Sequence, residues 1–385
     1  MNFRIPPRLL TWPALSGIGI ACCVLVYFFY IPSYTPAVMK TFSSQTRTHC
    51  VGRYLIDLPT DLGEPAVSYA VLYFGLGPGF KRVEIETPKT GDIDWPTFER
   101  LVAARRAELI STKDAESGVA MLLKEEAVST PDGRAVMFRR LYSDRGPTTL
   151  VSELHAFVQG RYVSFKTESY PPATPIRQSG EAEYKLVDPE PAEARLRLVA
   201  QHIHAVPEPS HAPYGFCINN VLFSSPDIGH DEEKATFHFV TNHGALPSLS
   251  LEVSMNGKFG YSDPDLHTRM RERSLAIAMY PTEGLARTHR KTERKLAGMP
   301  FQEWVDEMYM RHSKGTQYSL QVENQRTDAE GSETFMRPAM SIKIESGSTS
   351  SSEDQSPYSL SQIEKAWDQW LPTLRLSPGN GGVPR

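Results

Sequence analysis

The chain has 385 residues, which is too long for one ordinary core and fits two domains plus a further segment. Its formal net charge is -4 and its sequence pI is about 6.3, so there is no overall basic excess and nucleic acid is not predicted as a partner. Apolar residues make up 40% of the chain, which is normal for a globular protein.

The N-terminal segment has the pattern of a membrane anchor. The span Leu9–Val38 contains no charged side chain, and Ile18–Ile31 within it is almost wholly apolar. About 20 such residues cross the core of a bilayer as a helix. The sequence therefore predicts a transmembrane helix over residues 9–31.

The charges beside this helix predict its orientation. Arg4 and Arg8 precede it and only Lys40 follows closely, so the positive-inside rule places residues 1–8 in the cytoplasm and the rest of the chain outside it. The alternatives are a cleaved signal peptide, a lipoprotein modified at Cys22, and a buried helix of a soluble domain. No convincing cleavage site follows the apolar run, and the run continues past the cysteine, so we expect a retained single-pass anchor.

The rest of the chain is an internal repeat. Cys, Leu and Pro have the same internal spacing in Cys50–Pro59 and in Cys217–Pro226, 167 residues later. Strands of period two follow in both copies, at Val83–Thr87 and Leu249–Met255. The next elements recur in the same order: helices opened by Asp94 and Asp263, hairpins turning at Gly133 and Gly298, and closing helices at 191–203 and from a capping box at Ser361–Glu364.

These repeats predict an α+β fold of two similar tandem domains, each an antiparallel sheet with about two helices on one face. We place the N-terminal domain at residues 41–206 and the C-terminal domain at residues 214–376. A proline-rich linker at 207–213 connects them, and we expect residues 377–385 to form a disordered tail.

The soluble body contains two cysteines, Cys50 and Cys217, whereas Cys22 and Cys23 fall in the predicted membrane helix. In an oxidising compartment the two cysteines of the body allow one intramolecular disulfide, and the alternative is two buried free thiols. They occupy equivalent places in the two copies, and a pseudo-two-fold axis would bring them together. We favour the disulfide.

Motifs of catalysis or cofactor binding are not recognisable. The sequence has no Gly-x-Ser-x-Gly elbow, no His-Glu-x-x-His pair and no Walker loop. An acidic, histidine-rich stretch contains the residue types that bind metals, but its spacing matches no recognised site: Asp227, His230, Asp231, Glu232, His238 and His243. We interpret Asp231–Glu233 as a solvated turn, and we predict no catalytic residue, no cofactor and no metal.

A basic run occurs in the second copy, and it consists of Arg287, Arg290, Lys291, Arg294 and Lys295. Such a run is most often the solvated face of a strand. In a chain of negative net charge it is also a candidate binding site for an acidic partner.

The openings of the two copies resemble a known family. Thr48–Pro59 (Thr-His-Cys-Val-Gly-Arg-Tyr-Leu-Ile-Asp-Leu-Pro) and Tyr214–Ile218 (Tyr-Gly-Phe-Cys-Ile) are similar to the motifs that open the two domains of the periplasmic immunity proteins cognate to type VI secretion lipase effectors, fourth lipase group. The resemblance covers Cys50 to Leu376. It implies a protein without catalytic residues that binds a secreted phospholipase effector in the periplasm, and it fits a body held at the inner membrane by the N-terminal helix.

Two functions remain open from the sequence. The first is an immunity protein that occludes the active site or lid of its effector in a cleft between the two domains. The second is an envelope-anchored enzyme or small-ligand-binding protein. A deep pocket with convergent groups of shifted pKa would favour the second function.

Overall fold

The computed structural model describes residues 41–75, 81–89, 91–115, 117–131, 133–142, 149–170, 188–211, 214–223, 228–241, 249–257, 265–279, 284–310, 315–324, 337–347 and 355–381. All of them belong to one compact unit that spans Lys40–Arg385. The transmembrane helix predicted at residues 9–31 lies outside the described residues. Within the described residues, no helix is both long enough and apolar enough to cross a bilayer.

The N-terminal half begins with a β-hairpin and ends with a helix and a short strand. In chain order its elements are β1 (Thr46–Val51), β2 (Tyr54–Pro59), a 3-10 turn (Thr60–Leu62), β3 (Val67–Phe74), β4 (Lys81–Lys89), α1 (Trp95–Ser111), β5 (Leu122–Thr130), β6 (Gly133–Leu141), β7 (Leu150–Val158), β8 (Arg161–Ser169), α2 (Pro189–Gln201) and β9 (Ile203–Ala205).

The C-terminal half follows a 3-10 turn (Pro209–His211) and repeats this series. Its elements are β10 (Phe216–Ile218), β11 (Val221–Phe223), β12 (Glu232–Val240), β13 (Leu249–Asn256), α3 (Leu266–Met279), β14 (Gly284–Leu296), β15 (Met299–Met310), β16 (Gly315–Glu323), β17 (Ala339–Ser346), α4 (Leu360–Trp370), a 3-10 turn (Leu371–Thr373), β18 (Arg375–Leu376) and a last short helix α5 (Pro378–Gly381).

Twelve of these strands form one continuous antiparallel sheet, in the order β14-β15-β16-β17-β13-β12-β3-β4-β8-β7-β6-β5. From the centre outwards, each half contributes its strands in the equivalent order: β3-β4-β8-β7-β6-β5 in the first half and β12-β13-β17-β16-β15-β14 in the second. The repeat predicted from the sequence is therefore present in the order of the elements and in the topology of the sheet.

The halves meet where β3 pairs with its own counterpart, β12. The pairing is antiparallel, and Ala70 lies opposite Ala235, which is the arrangement of a pseudo-two-fold axis. One hydrophobic core extends across this junction and includes Leu72 and Phe237. The two halves are therefore joined by a shared sheet and core, in addition to the linker predicted at 207–213. A surface formed by both halves would lie on this shared sheet.

The short strands exchange partners between the halves. β9, the last strand of the first half, pairs with β11 of the second half, with Ala205 opposite Val221. β18, the last strand of the second half, pairs with β2 of the first half, with Arg375 opposite Leu55. Each N-terminal hairpin is thus completed by a strand from the other half.

The prediction that both helices of a half lie on one face of its sheet is wrong. Phe98 of α1 packs in one cluster with Phe138, whereas Leu196 of α2 packs in another cluster with Met137. Adjacent residues of a strand point to opposite faces, so α1 and α2 lie on opposite faces of the sheet. β7, which both helices contact, is accordingly buried on both sides along most of its length.

The second half has the same arrangement. Leu266 and Met270 of α3 pack against Trp304 on one side of β15. On the other side of that strand, the indole nitrogen of Trp367 in α4 donates to Glu303 at 2.7 Å. Because residues 303 and 304 are neighbours on one strand, α3 and α4 also lie on opposite faces.

The helix caps follow local chemistry. Asp94 caps α1 as predicted, and its carboxylate accepts a hydrogen bond from the Thr97 amide at 2.9 Å. The capping box of α4 uses Ser359 and Gln362 instead of the predicted box that begins at Ser361. The Ser-x-x-Gln pattern fits a capping box as well as the Ser-x-x-Glu pattern two residues later, so the prediction chose the wrong serine.

Candidate functional site

A disulfide joins the hairpins of the two halves. Cys50 and Cys217 are bonded with their Cα atoms 5.8 Å apart, and their exposures are only 4% and 2%. Beside them the Gly52 amide donates to the Cys217 carbonyl at 3.0 Å, and the Cys217 amide donates to the Gly52 carbonyl at 2.9 Å. One covalent bond and two backbone hydrogen bonds therefore connect hairpin β1–β2 to hairpin β10–β11, and neither thiol is free.

A buried ion pair crosses the junction next to this disulfide. Nε of Arg53 donates to Oε2 of Glu233 at 2.9 Å, and its NH2 nitrogen donates to Oε1 at 2.6 Å. The two side chains are 1% and 7% exposed. Nε2 of His230 lies 2.6 Å from the same carboxylate. The pair links the first half to the second in a place where water does not compete.

The interpretation of Asp231–Glu233 as a solvated turn is wrong for Glu232 and Glu233. Glu232 and Glu233 begin β12, and both are buried. Burial alone would raise the pKa of Glu233, but the Arg53 guanidinium and the His230 ring more than offset this and hold the pKa below its ordinary value. The same carboxylate keeps the pKa of Arg53 above its ordinary value despite burial.

The C-terminal segment completes this junction. Oδ1 of Asn380 accepts from Arg53 at 3.2 Å and from the Gly215 amide at 3.1 Å, and its side-chain nitrogen donates to the carbonyl oxygens of both residues. Ser377 and Asn380 are 4% and 3% exposed. The predicted disordered tail at 377–385 is therefore wrong for residues 377–381. We call Arg53, His230, Glu233 and Asn380 the junction cluster.

No sequence pattern indicated the junction cluster. The one local signal is a cationic residue, Arg53, next to Gly52 in an opening motif that is otherwise mostly apolar. Its partners lie 180 and 327 residues away in the chain, so no local spacing could have identified them.

The side of β3, β4, β12 and β13 that faces away from the shared core is polar, and we call it the open face. Its side chains are half-buried or exposed: Tyr69, Glu84, Glu86, Lys234, Thr236, His238, Glu252, Ser254 and Asn256. The alternate residues of the same strands point into the core and are buried: Ala70, Leu72, Val83, Ile85, Ala235, Phe237, Leu251 and Val253. A polar surface therefore lies across the pseudo-two-fold axis.

Two helices flank the open face. α1 packs on β5 and β7, and α3 packs on β14 and β15, which are the outer strands of the sheet. No helix among the described residues packs between them, over the six strands from β17 to β8. At about 4.8 Å between neighbouring strands, this uncovered floor is roughly 25 Å wide.

A network of ion pairs lies on the first half of the open face. Arg82 contacts Glu84 at 3.1 Å and Glu168 at 3.4 Å, and Lys166 contacts Glu86 at 2.7 Å. Burial, and then the charge of the Glu84 carboxylate, raises the pKa of the neighbouring Tyr69 to about 12, which keeps its hydroxyl protonated at neutral pH.

The same face contains a pocket of about 250 Å³, lined by Arg82, Glu84, Arg140, Tyr142, Val151, Lys166, Thr167 and Glu168. Ligand sites usually measure roughly 300–1,000 Å³. The hydroxyl of Thr167 donates to the Arg82 carbonyl oxygen at 2.9 Å, so it faces backbone and not a general base. The volume and lining are those of a small polar pocket on the open face.

The structure divides the predicted basic run. Arg290 and Arg294 lie against α4: NH1 of Arg290 donates to Asp368 at 3.0 Å, and Nε of Arg294 donates to Glu303 at 2.8 Å. Burial raises the pKa of Asp368, but its hydrogen bonds with the two arginines outweigh burial and leave the pKa below its ordinary value. These two cations are thus held inside the protein's own ion-pair network.

The other members of the run, Arg287, Lys291 and Lys295, are exposed. The Lys291 ammonium lies 5.7 Å from the centre of the Trp304 ring, on the face of the sheet that carries α3. Binding of an acidic partner by the run stays a prediction.

The histidine-rich stretch is dispersed. His230 belongs to the junction cluster and His238 to the open face, whereas Asp227 and His243 lie outside the described residues. In the described part of the chain, no group of three or more His, Cys, Asp or Glu residues is placed to hold a metal ion.

Two family models match this sequence in order. The model described as "Tle cognate immunity protein 4 N-terminal domain" matches residues 47–185, and the model described as "Tle cognate immunity protein 4 C-terminal domain" matches residues 209–379. No curated protein sequence matches the chain.

Three solved structures are similar in fold. The apo structure of the immunity protein TplEi of T6SS from Pseudomonas aeruginosa has 17% identity and a TM-score of 0.55, and the match covers 86% of this chain and 97% of that one. A chain of the Tle4–Tli4 complex has the same identity and TM-score and is covered to 98%. TplEi complexed with "L" peptide has 15% identity, a TM-score of 0.54 and coverages of 87% and 99%. At these identities the likeness shows a common fold.

Proposed function

The chain belongs to the Tle cognate immunity protein 4 family and is an immunity protein that binds a type VI secretion phospholipase effector, and we propose that it neutralises this effector by occlusion. The observation that carries the proposal is the match of both family domains, in order, over residues 47–185 and 209–379. The fold shared with a chain of the Tle4–Tli4 complex supports it.

We propose that the open face is the surface that binds the effector. It spans both halves, it is flanked by α1 and α3, and its side chains are polar and accessible. A floor roughly 25 Å wide has room for a standard interface of about 800 Å² on each partner. In this proposal a groove on one shared sheet takes the place of the expected cleft between two domains on a short linker, and a preformed groove binds with little loss of conformational entropy.

We also propose that the body acts in the periplasm, held at the inner membrane by the helix predicted at residues 9–31. Arg4 and Arg8 support this orientation. A membrane-held inhibitor meets a lipid-cleaving enzyme at raised local concentration. A reporter enzyme that is active only after export, fused behind Arg385, should be active, and cytoplasmic activity at that end would contradict the proposal.

The test of inhibition uses purified residues 41–385 and the cognate phospholipase. We expect complete inhibition near a 1:1 molar ratio, because an occluding protein works by stoichiometric binding. We also expect no hydrolysis of lipid or ester substrates by residues 41–385 alone, because the proposed role needs no chemistry. Hydrolysis by the body itself would support the enzyme hypothesis instead.

The test of the open face places one bulky side chain at its centre. Thr236 is half-buried on β12, so Thr236→Trp should reduce the affinity for the effector at least tenfold by steric exclusion. Gln369→Trp on the exposed side of α4 is the matched control and should leave the affinity unchanged. If both variants bind with equal affinity and unfold at the same midpoint as the wild type, the interface lies elsewhere on the protein. The family assignment would be unaffected.

A further inference from the structure

The basic run lies at an end of the sheet that the open face does not use. β14 (Gly284–Leu296) is a terminal strand, and within the described residues it pairs with β15 alone. In such a strand every second residue directs its N–H and C=O groups away from the sheet. With 13 residues, β14 therefore presents backbone donors and acceptors over roughly 40 Å.

This edge carries basic side chains on both of its faces. Its sequence contains five Lys or Arg residues and one Glu. Arg290 and Arg294 lie on the face of α4, because both contact Glu303, whereas Lys291 lies on the face of α3 over Trp304. A strand added beside β14 would have the exposed Lys291 and Lys295 next to it on the α3 face, whereas Arg290 and Arg294 on the other face already pair with Glu303 and Asp368.

The opposite edge of the sheet shows that this charge is not a general property of the fold. β5 is the equivalent strand of the first half, and it carries one Lys and two Glu. Those charges are used internally: Lys124 contacts Glu126 at 2.9 Å, and Glu125 pairs with Arg106. Two strands of the same topology therefore present different edges, one basic and one nearly neutral.

The charge also decides what can occupy the edge. A second copy of β14 would align five cations with five, and like charges in register across a strand pair are destabilising. An extended segment rich in Asp or Glu has the opposite charge and would find the exposed ammonium groups of Lys291 and Lys295 beside it. Added strands of this kind gain affinity from main-chain hydrogen bonds and selectivity from their alternating side chains.

We propose that β14 is a strand-addition site that receives an extended acidic segment of the effector. The identity of the occupant rests on the function proposed above, whereas the site rests on the geometry and charge of β14. Binding at this edge would add a second point of attachment to the groove, outside the pseudo-symmetric centre and present in the second half only.

The test measures binding of a fluorescent nine-residue peptide of alternating Glu and Thr to the full chain in a neutral detergent. We expect saturable binding that is weakened at least tenfold by Lys291→Glu with Lys295→Glu. Arg100→Glu with Lys113→Glu, exposed positions of the first half, is the matched charge control and should bind as the wild type does. Circular dichroism confirms that the variants are folded.

A second peptide separates strand addition from simple charge attraction. It has the same sequence but carries N-methyl groups on alternate amides, so it keeps its charge and loses the hydrogen bonds of one edge. We expect this peptide to bind at least tenfold more weakly. Equal binding of both peptides, or binding of phosphatidylglycerol vesicles in place of the peptide, would overturn the proposal.

Inhibition of the cognate phospholipase is read in parallel. One result would refute strand addition and leave the proposed function standing: the peptide does not bind, and the Lys291→Glu, Lys295→Glu variant inhibits the effector to the same extent as the wild type. If the peptide binds but no effector is neutralised, the proposed function fails and so does the identity of the occupant.

Discussion

Removing one partner of the Arg53–Glu233 ion pair should cost far more stability than removing both. Glu233→Gln leaves a guanidinium that is 1% exposed without its counter-charge. Breaking a buried pair in this way costs about 3–5 kcal/mol, because the remaining charge has lost its water and gained no partner. The double variant Arg53→Met, Glu233→Leu removes both charges and replaces them with apolar groups of similar length, so its cost should be smaller.

Urea denaturation of residues 41–385 at pH 7, followed by tryptophan fluorescence, gives the free energy of unfolding for each variant. A surface ion pair is the control: Lys343 and Glu345 lie 2.5 Å apart, and their side chains are 30% and 47% exposed. Glu345→Gln should cost no more than about 1 kcal/mol, because solvent screens an exposed pair.

The dependence on pH gives a second measurement of the same pair. The folded pKa of Glu233 lies below its unfolded value of about 4.3, so its stabilisation is fully present above that pH. It is lost as the pH falls from that value through the lower folded pKa, because the unfolded state takes up the proton at a higher pH than the folded state does. Glu233→Gln should therefore lose less stability than the wild type between neutral and acid pH. A cost of Glu233→Gln below about 1 kcal/mol, or a double variant as unstable as the single one, would refute the reasoning.

Three further predictions concern stability. The Cys50–Cys217 disulfide closes a loop of 167 residues, so its reduction should lower the free energy of unfolding by up to roughly 5 kcal/mol. Denaturation series with and without dithiothreitol measure this difference. No change would show that the loop entropy is already lost in the unfolded chain. Residues 41–206 and 214–376 expressed alone should lack a cooperative unfolding transition by circular dichroism, because each has lost a strand partner and a shared core, and a folded half would contradict the exchanged topology. Burial and the charge of Arg47 lower the pKa of His49 to about 4, so as the pH falls the unfolded state protonates this ring before the folded state does. The free energy of unfolding should therefore fall between about pH 6.5 and pH 4. The variant His49→Gln should flatten that fall, and an unchanged slope would exclude His49 as its source.

The repeat was predictable because each of its copies shows the same local sequence patterns. Leu55 and Leu222 follow their cysteines at the same distance, and each alternating strand leads to a helix with a predictable start. The placement of the two cysteines at equivalent positions also indicated a contact between the halves. Signals of this kind depend on residues a few positions apart, where a sequence pattern has a direct structural meaning.

The exposed or buried state of charged residues was not predictable in the same way. Glu153 lies in the middle of β7 with 0% exposure, held by Arg105 and Arg140 from a helix and a neighbouring strand. A charged residue within a strand is typical of a strand with one solvated side, whereas β7 is covered by helices on both sides. Glu233 misled the interpretation of β12 for the same reason, since its partner Arg53 is 180 residues away.

The joining of the two halves into one sheet had no local signal either. β3 pairs with β12 through residues such as Ala70 and Ala235, and nothing in either segment distinguishes a strand that ends a six-stranded sheet from one that continues it. The pairing becomes visible only when the topology of both halves is known.

The exchange of β9 and β18 has a consequence for the order in which the protein can mature. The hairpin near residue 50 acquires its third strand from residues 375–376, and Arg53 acquires its amide partner from residue 380. A chain that emerges N-terminus first, from the ribosome or from an export channel, therefore cannot complete its first half until residue 380 has arrived. Contacts that span most of the chain make folding slow, because the long loop has to close before they contribute. A stop codon that removes only the residues after Trp370 would therefore damage the structure around Cys50, at the other end of the gene.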